Sequence, residues 1–319
     1  QNYFFPAMDL DERMKHRRQQ RLESIRVYID QVLLPVLNYR GTITVKPALF
    51  GRNSYVYFLE RSDLETLVLR CEENKSSLMR RIRGHHLLLR HGFDVPGIVY
   101  QDLDPFVHRK FGFYFMVENF VSGKHFLSEA HDTVAAGMHL GAVLARMHEL
   151  TSWRHGWPGE WCWPGSVLGG FSLRWKTRNK LEAYRKRNRK SSAVVGRFLK
   201  KQHFSTWFPR PRLTTGGYIS SNLLVDKDRV SIIDLARVRY AFAPRDVAQV
   251  HVGLTRNDQQ ARFSFFKSYR QHASKALLRE IDRTLPLFEV LFLLRLALNE
   301  PNVNLYEKRD QELLKYCEI

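Results

Sequence analysis

Cysteine is scarce. Cys71, Cys162 and Cys317 lie far apart with no C-x-x-C spacing, so neither a disulfide framework nor a zinc knuckle is indicated, and a reducing compartment is expected. Long apolar runs are missing too. The best stretch, LPLFEVLFLLRLAL at 285–298, contains Glu289 and Arg295 and is too short to cross about 30 Å of hydrocarbon as a helix, so it reads as a buried helix. The opening residues hold no apolar segment of the kind a secretory signal needs. Several chemical signatures are absent as well: no G-x-x-x-x-G-K-[ST], no G-x-G-x-x-G, no H-E-x-x-H and no G-x-S-x-G. Adjacent His85 and His86 point to different helix faces, and no other histidine pair has ligand spacing on one element.

Acid is the remaining shortage. The 32 Asp and Glu are outnumbered by 51 Lys and Arg, a net charge of +19, which favours an anionic partner and says nothing about fold. The excess is not spread evenly. Residues 174–212 hold fourteen Lys or Arg and one acid, Glu182, so thirteen of the nineteen net charges fall in about an eighth of the chain. The aromatics in and around that run, Trp175, Tyr184, Phe198, Phe204, Trp207 and Phe208, either stack on bases or belong to a core.

Hydrophobic period divides the chain. Residues 11–37 predict one amphipathic helix with Leu22, Ile25, Ile29, Leu33 and Val36 on its apolar stripe. From residue 42 the period becomes strand-like in TITVKPALF, GRNSYVYFLE and TLVLRC, with turns at 51–53 and 61–63. A helix over 74–90 and two strands, PGIVYQD and FGFYFMVENF, complete a small lobe of five strands and one helix. Beyond Gly123 the pattern is helical, interrupted by NLLVDKDRVSIIDLA, which reads as a hairpin. The expected divisions are a basic amphipathic helix at 1–40, a small lobe at 41–118 and a mainly helical lobe at 119–319 with the basic insertion at 174–212.

The hairpin carries the one constellation with chemistry. Asn222 before its first strand and Asp234 after its second would converge, an amide and a carboxylate suited to Mg²⁺ on nucleotide phosphates. The same two residues are also ordinary turn formers.

Five segments in order resemble the aminoglycoside phosphotransferase and choline kinase branch of the protein-kinase-like fold: LFGRNSYVYFL, TLVLRC, MVENFVSG, LARMHEL and IIDLARVRYAFAPRDVAQV. The resemblance implies an α+β, bilobal fold with a small antiparallel-sheet N-lobe and a mainly helical C-lobe. It also implies ATP and Mg²⁺ as cofactors. Gly51 and Asn53 would cover phosphates, Arg70 would pair with them, and Met116, Glu118 and Asn119 would offer a hinge to adenine. Asn222 and Asp234 would bind metal, while His148 and Asp246 occupy further motif places. IIDLARVR and VGLTRNDQQARFSFFKSY resemble the lipopolysaccharide-core sugar kinases more locally.

Against that pattern three positions depart. The family's H-G-D-x-x-x-x-N loop is TTGGYISSN here, so Gly217 stands where the catalytic Asp base is expected, and Tyr218, Ser220 and Ser221 are poor bases near neutral pH. Arg70 replaces a lysine. The following helix presents Arg80 and Arg81 near the place of a pairing Glu, for which Glu72 or Glu73 could substitute. The expected function is a degenerate phosphotransferase-family protein, a pseudokinase that binds Mg-nucleotide or an anionic ligand with little turnover. The alternatives are an active small-molecule kinase acting on a sugar hydroxyl, aminoglycoside-like or in lipopolysaccharide core, and a basic membrane- or nucleic-acid-binding adaptor. Arg185, Lys186, Arg187, Arg189 and Lys190 are the candidates for an anionic small molecule, a phosphosugar or a membrane surface, ahead of nucleic acid. The expected place is the cytoplasm, with the inner face of a membrane as an option.

Overall fold

The computed structural model describes residues 8–48, 55–62, 64–125, 133–160, 165–201, 210–216, 222–226, 229–255, 258–300 and 302–318. The chain forms two compact units, Gln1–Ser122 and Gly123–Ile319.

The first unit is a sheet covered on both faces. Helix α1 (Met8–Tyr28) runs through a π-helical stretch, Ile29–Leu33, into α2 (Leu34–Leu37), where Asn38 at φ 49° ends it in the left-handed region. The strands are β1 (Ile43–Pro47), β2 (Tyr55–Arg61) and β3 (Leu67–Glu72). Helix α3 (Lys75–Arg90), β4 (Ile98–Asp102), α4 (Pro105–Phe111) and β5 (Tyr114–Asn119) follow. Sheet order is β1-β2-β3-β5-β4, antiparallel throughout. Strand alternation sorts the side chains: Leu67, Leu69, Cys71, Phe115 and Val117 join the cluster built around α1, whereas Arg70 and Glu72 share the opposite face with Met116 and Glu118.

Leu22, Ile25, Ile29 and Leu33 are buried as their spacing predicts, but Val36 is 52 % exposed because the left-handed turn at Asn38 follows at once. Tyr28 stacks on Phe115 with ring centroids 3.6 Å apart and donates its hydroxyl to Asp102 at 3.3 Å. Arg18 is fully buried; its Nη1 donates to the Ala48 carbonyl at 2.7 Å, and its own carbonyl accepts from the Tyr57 hydroxyl at 3.0 Å. The N-terminal helix contributes Leu22, Ile25, Tyr28 and Leu33 to this unit's core. Sequence reading missed α4, a short helix that Asp104 caps by accepting from the Phe106 amide and that Gly112 ends at φ 80°.

The second unit begins with β6 (Lys124–His125) and α5 (Thr133–Glu149). Helices α6 (Gly165–Arg187) and α7 (Arg189–Lys201) follow, then β7 (Arg212–Thr214), β8 (Leu223–Asp226), β9 (Arg229–Ile232) and β10 (Arg239–Ala241). Helices α8 (Pro244–Ala248), α9 (Gln259–His272), α10 (Lys275–Leu298) and α11 (Val303–Glu318) close the chain. The apolar run at 285–298 is the buried second half of α10, around which Tyr184, Phe242 and Leu313 gather. No helix among the described residues is long and apolar enough to cross a membrane.

Helices α5 and α9 meet at very close range through two glycines one turn apart. A Cβ on Gly141 would stand 2.4 Å from the Phe265 carbonyl oxygen, and one on Gly137 2.5 Å from that of Ala261. Both obstacles are backbone, so the helices would have to separate. Gly141→Ala should therefore destabilise the protein by about 1–3 kcal/mol in denaturant unfolding, and a smaller loss would contradict the close packing.

Candidate functional site

In the first unit the residues expected to handle a nucleotide are tied into an ion network on the α3-facing side of the sheet. Arg70 on β3 donates its Nε to Glu118 on β5 at 2.5 Å, both side chains being almost wholly buried. The pairing is diagonal: Val68 lies opposite Glu118 and Arg70 opposite Met116, within reach of a long side chain. The other Glu118 oxygen lies 3.3 Å from His85 Nε2, and His85 Nδ1 lies 3.0 Å from the Pro96 carbonyl oxygen. Burial pushes the Glu118 carboxyl up, but Arg70, with His85 and Arg81 behind it, outweighs burial and holds it below its ordinary range. The Nη groups of Arg70 have no acceptor among the described residues.

The acid that orients Arg70 thus comes from the sheet, whereas the helix contributes the opposite charge. Arg81 on α3 pairs with Glu72 at 2.9 Å. Of the two substitutes the sequence offers, Glu72 serves Arg81 rather than Arg70. Period-two alternation contains the signal, because residues 70 and 72 and residues 116 and 118 must share one face. Met116 is buried against Leu78 and Ile82. The backbone expected to receive adenine lies inside the sheet: Met116 to Asn119 are ladder residues, the Asn119 amide donates to Gly97 at 2.9 Å, and the Phe120 amide donates to Thr66 at 3.2 Å. Gly51 and Asn53 lie outside the described residues.

In the second unit the loop that should carry the catalytic base is fixed at both ends. At its entry Thr215 donates its amide to Asp246 Oδ2 at 2.6 Å and its hydroxyl to the same oxygen at 2.9 Å. That oxygen also lies 3.7 Å from His148 Nε2, while His148 Nδ1 lies 2.7 Å from the Tyr269 hydroxyl. The glycine contact of α5 with α9 brings His148 and Tyr269 together. Gly216 sits at φ 76° directly beneath the Arg237 carbonyl, where a Cβ would be 1.8 Å from the oxygen, so glycine is obligatory there. Gly217 lies outside the described residues.

At the exit stand the two metal candidates. Leu223 pairs with Ile232 and Asp226 with Arg229, so Asn222 opposes Ile233, whose amide donates to the Asn222 carbonyl at 2.8 Å. The register brings Asn222 and Asp234 to the same open end of the hairpin. Asp234 adopts φ 58°, ψ 64°, a left-handed conformation that costs a non-glycine residue energy and is found at functional positions. An amide oxygen and a carboxylate form a hard-donor set that suits Mg²⁺ better than a softer metal.

The first part of the basic run falls on two helices, α6 and α7, with Trp175 65 % exposed. Tyr184, Val195, Phe198 and Leu199 are core, and Phe204, Trp207 and Phe208 lie outside the described residues. Arg185, Lys186, Arg189 and Lys190 are exposed. Arg187 instead holds two helices together: its Nη1 donates to the carbonyls of Ala297 and Glu300 at 3.2 and 3.4 Å, capping the C-terminal end of α10, and the guanidinium lies over the Tyr306 ring. Asp258 of the G-L-T-x-x-D stretch caps α9 by accepting from the Ala261 amide at 2.8 Å. His155, missed from sequence, is packed on Phe242; burial first and the Arg239 charge second push it down to about 4.

No protein-family model matches the chain, and no curated protein matches it. Solved structures do. A protein from Ralstonia eutropha assigned as an aminoglycoside phosphotransferase superposes with a TM-score of 0.60 at 15 % identity, over 93 % of this chain and 98 % of that one. The ADP-bound aminoglycoside phosphotransferase APH(2'')-Ib gives 0.57 at 13 %, covering 92 % and 97 %. The amicoumacin kinase hAmiN, in complex with AMP-PNP, Ca²⁺ and Ami, gives 0.57 at 14 %, covering 92 % and 96 %. The chain has the fold of these small-molecule phosphotransferases, an α+β, protein-kinase-like fold with an antiparallel sheet in its first part and a mainly helical second part.

Two outcomes follow from the buried charges. Glu118→Gln leaves Arg70 without its counter-charge and should cost about 3–5 kcal/mol in urea unfolding; a near-neutral change would contradict the pairing. His155 is held below its unfolded value of 6.5, so between pH 6.5 and about 4 the unfolded chain binds more protons and stability falls as pH falls through that window. His155→Gln should flatten this part of the profile of unfolding midpoint against pH.

Proposed function

We propose that the protein is a degenerate phosphotransferase that binds a Mg-nucleotide and transfers its phosphoryl group slowly or not at all. One observation carries the reading: the loop between two fixed points, Thr215 on Asp246 and Asn222 on Ile233, contains no carboxylate. The loop is anchored at its entry, a hairpin brings the amide and the carboxylate together at its exit, and Asp234 has the strained backbone of a functional residue. Removal of a general base lowers rate by about 10²–10⁴ and need not touch ground-state binding.

Arg70 would take the phosphates through its Nη groups, with Glu118, itself held by His85, fixing the Nε side of the guanidinium. Asn222 and Asp234 would hold Mg²⁺, which when bound draws negative charge from the phosphate oxygens. The relatives in fold that carry ADP or AMP-PNP support a nucleotide as the ligand class.

Calorimetric titration with ATP is expected to show Mg²⁺-dependent binding that Asp234→Ala weakens at least about tenfold. Phosphate release in the same solution should stay at the buffer rate. Absence of binding removes the nucleotide reading, and turnover above about 1 s⁻¹, the low end of about 1–100 s⁻¹ for kinases, makes the protein an active kinase with another base.

A further inference from the structure

Helix α6 has apolar side chains on two opposite sides. Leu173, Thr177, Leu181 and Tyr184 recur at i, i+4, i+8 and i+11 and are buried or half-buried, and Leu173, Leu181 and Tyr184 belong to the apolar cluster that α10 shares. That side fixes the helix in its unit. Phe171 and Trp175 stand one turn apart on the other side, 55 % and 65 % exposed. Apolar residues exposed singly are ordinary, but packing gives no reason for two large aromatics side by side in water.

The same side is cationic. At about 100° per residue, Arg178, Glu182, Arg185 and Lys186 fall on one stripe with Phe171 and Trp175, and all of them are exposed. Lys176 is exposed on its flank, and Arg189 and Lys190 continue the exposed charge at the start of α7. Glu182 is the one acid between residues 171 and 190, and it lies 3.6 Å from Arg185. From Phe171 to Lys186 the stripe is about 22 Å long on a helix whose opposite side is anchored in a core, so it is a preformed surface. The Arg174 guanidinium lies over the Phe171 ring, 5.6 Å from its centroid.

We infer that this side of α6 is a docking surface for an anionic lipid bilayer, with Phe171 and Trp175 entering the headgroup region and Arg178, Arg185 and Lys186 facing lipid phosphates. Indole and phenyl rings are favoured at the boundary between water and hydrocarbon, and cations beside them are drawn to an anionic leaflet. Charge complementarity selects an anionic bilayer over a neutral one. A single-stranded nucleic acid needs open ring faces on which bases stack, and a guanidinium already occupies one face of Phe171. None of Arg70, Asn222 and Asp234 takes part, so the surface stands whether or not a nucleotide binds.

The test is cosedimentation of the full chain with lipid vesicles, without nucleotide or Mg²⁺. Vesicles of equimolar phosphatidylglycerol and phosphatidylcholine should retain the native protein, and vesicles of phosphatidylcholine alone should not. Trp175→Ala and the double variant Arg178→Gln, Arg185→Gln should each lower the partition coefficient about tenfold or more, with unfolding midpoints close to native because these side chains are exposed. Trp175→Phe should keep most of the binding, and Phe263→Ala, which removes an exposed aromatic from α9, should keep all of it. Native-like binding by Trp175→Ala, an equal loss in Phe263→Ala, or equal retention on neutral vesicles overturns the assignment. So does displacement from the vesicles by single-stranded RNA whose own binding falls to the same extent in Trp175→Ala, since the surface would then belong to nucleic acid.

Discussion

Asp246 is the charge on which the second unit depends. It is fully buried, and one of its oxygens accepts both the amide and the hydroxyl of Thr215 while facing His148. Those contacts fix where the loop toward Asn222 begins, and through His148 and Tyr269 they fasten that loop to the close pair of helices α5 and α9. One buried acid therefore sets the entry of the candidate catalytic loop. Such a group is costly to bury and is retained where its geometry has a use.

The first unit applies the same logic with the signs rearranged. Its sheet is clothed by α1 on one face and by α3 on the other, and on the α3 side the buried Arg70 pairs with Glu118, whose other oxygen faces His85. Taking the acid from β5 instead of the helix frees α3 to carry Arg81, which finds its partner in Glu72.

Much of this is legible in the sequence where a period or a turn dictates it. The five strands of the first unit, the α1 stripe and the hairpin that opens on Asn222 and ends before Asp234 follow from spacing, with ends displaced by up to about three residues, whereas β6, β7 and β10 are too short to show a period. What spacing cannot give is pairing between distant segments. Arg70 with Glu118, Thr215 with Asp246 and Arg187 with the end of α10 join residues 31 to 110 apart in the chain. Charge density misleads in a specific way: the exposed run at 185–190 stands out by its composition, whereas Arg187 within it caps the end of α10. Spacing also places Val36 in the core, because a helical stripe does not announce the left-handed residue that ends it.

The central proposal is that the chain binds a Mg-nucleotide and lacks the base to use it. Phosphate release from Mg-ATP, compared between the native protein and Gly217→Asp, tests it most directly. A carboxylate restored five residues before Asn222 should raise the rate by about 10²-fold or more, with nucleotide affinity nearly unchanged. Native turnover equal to or above that of the Gly217→Asp protein would contradict the account.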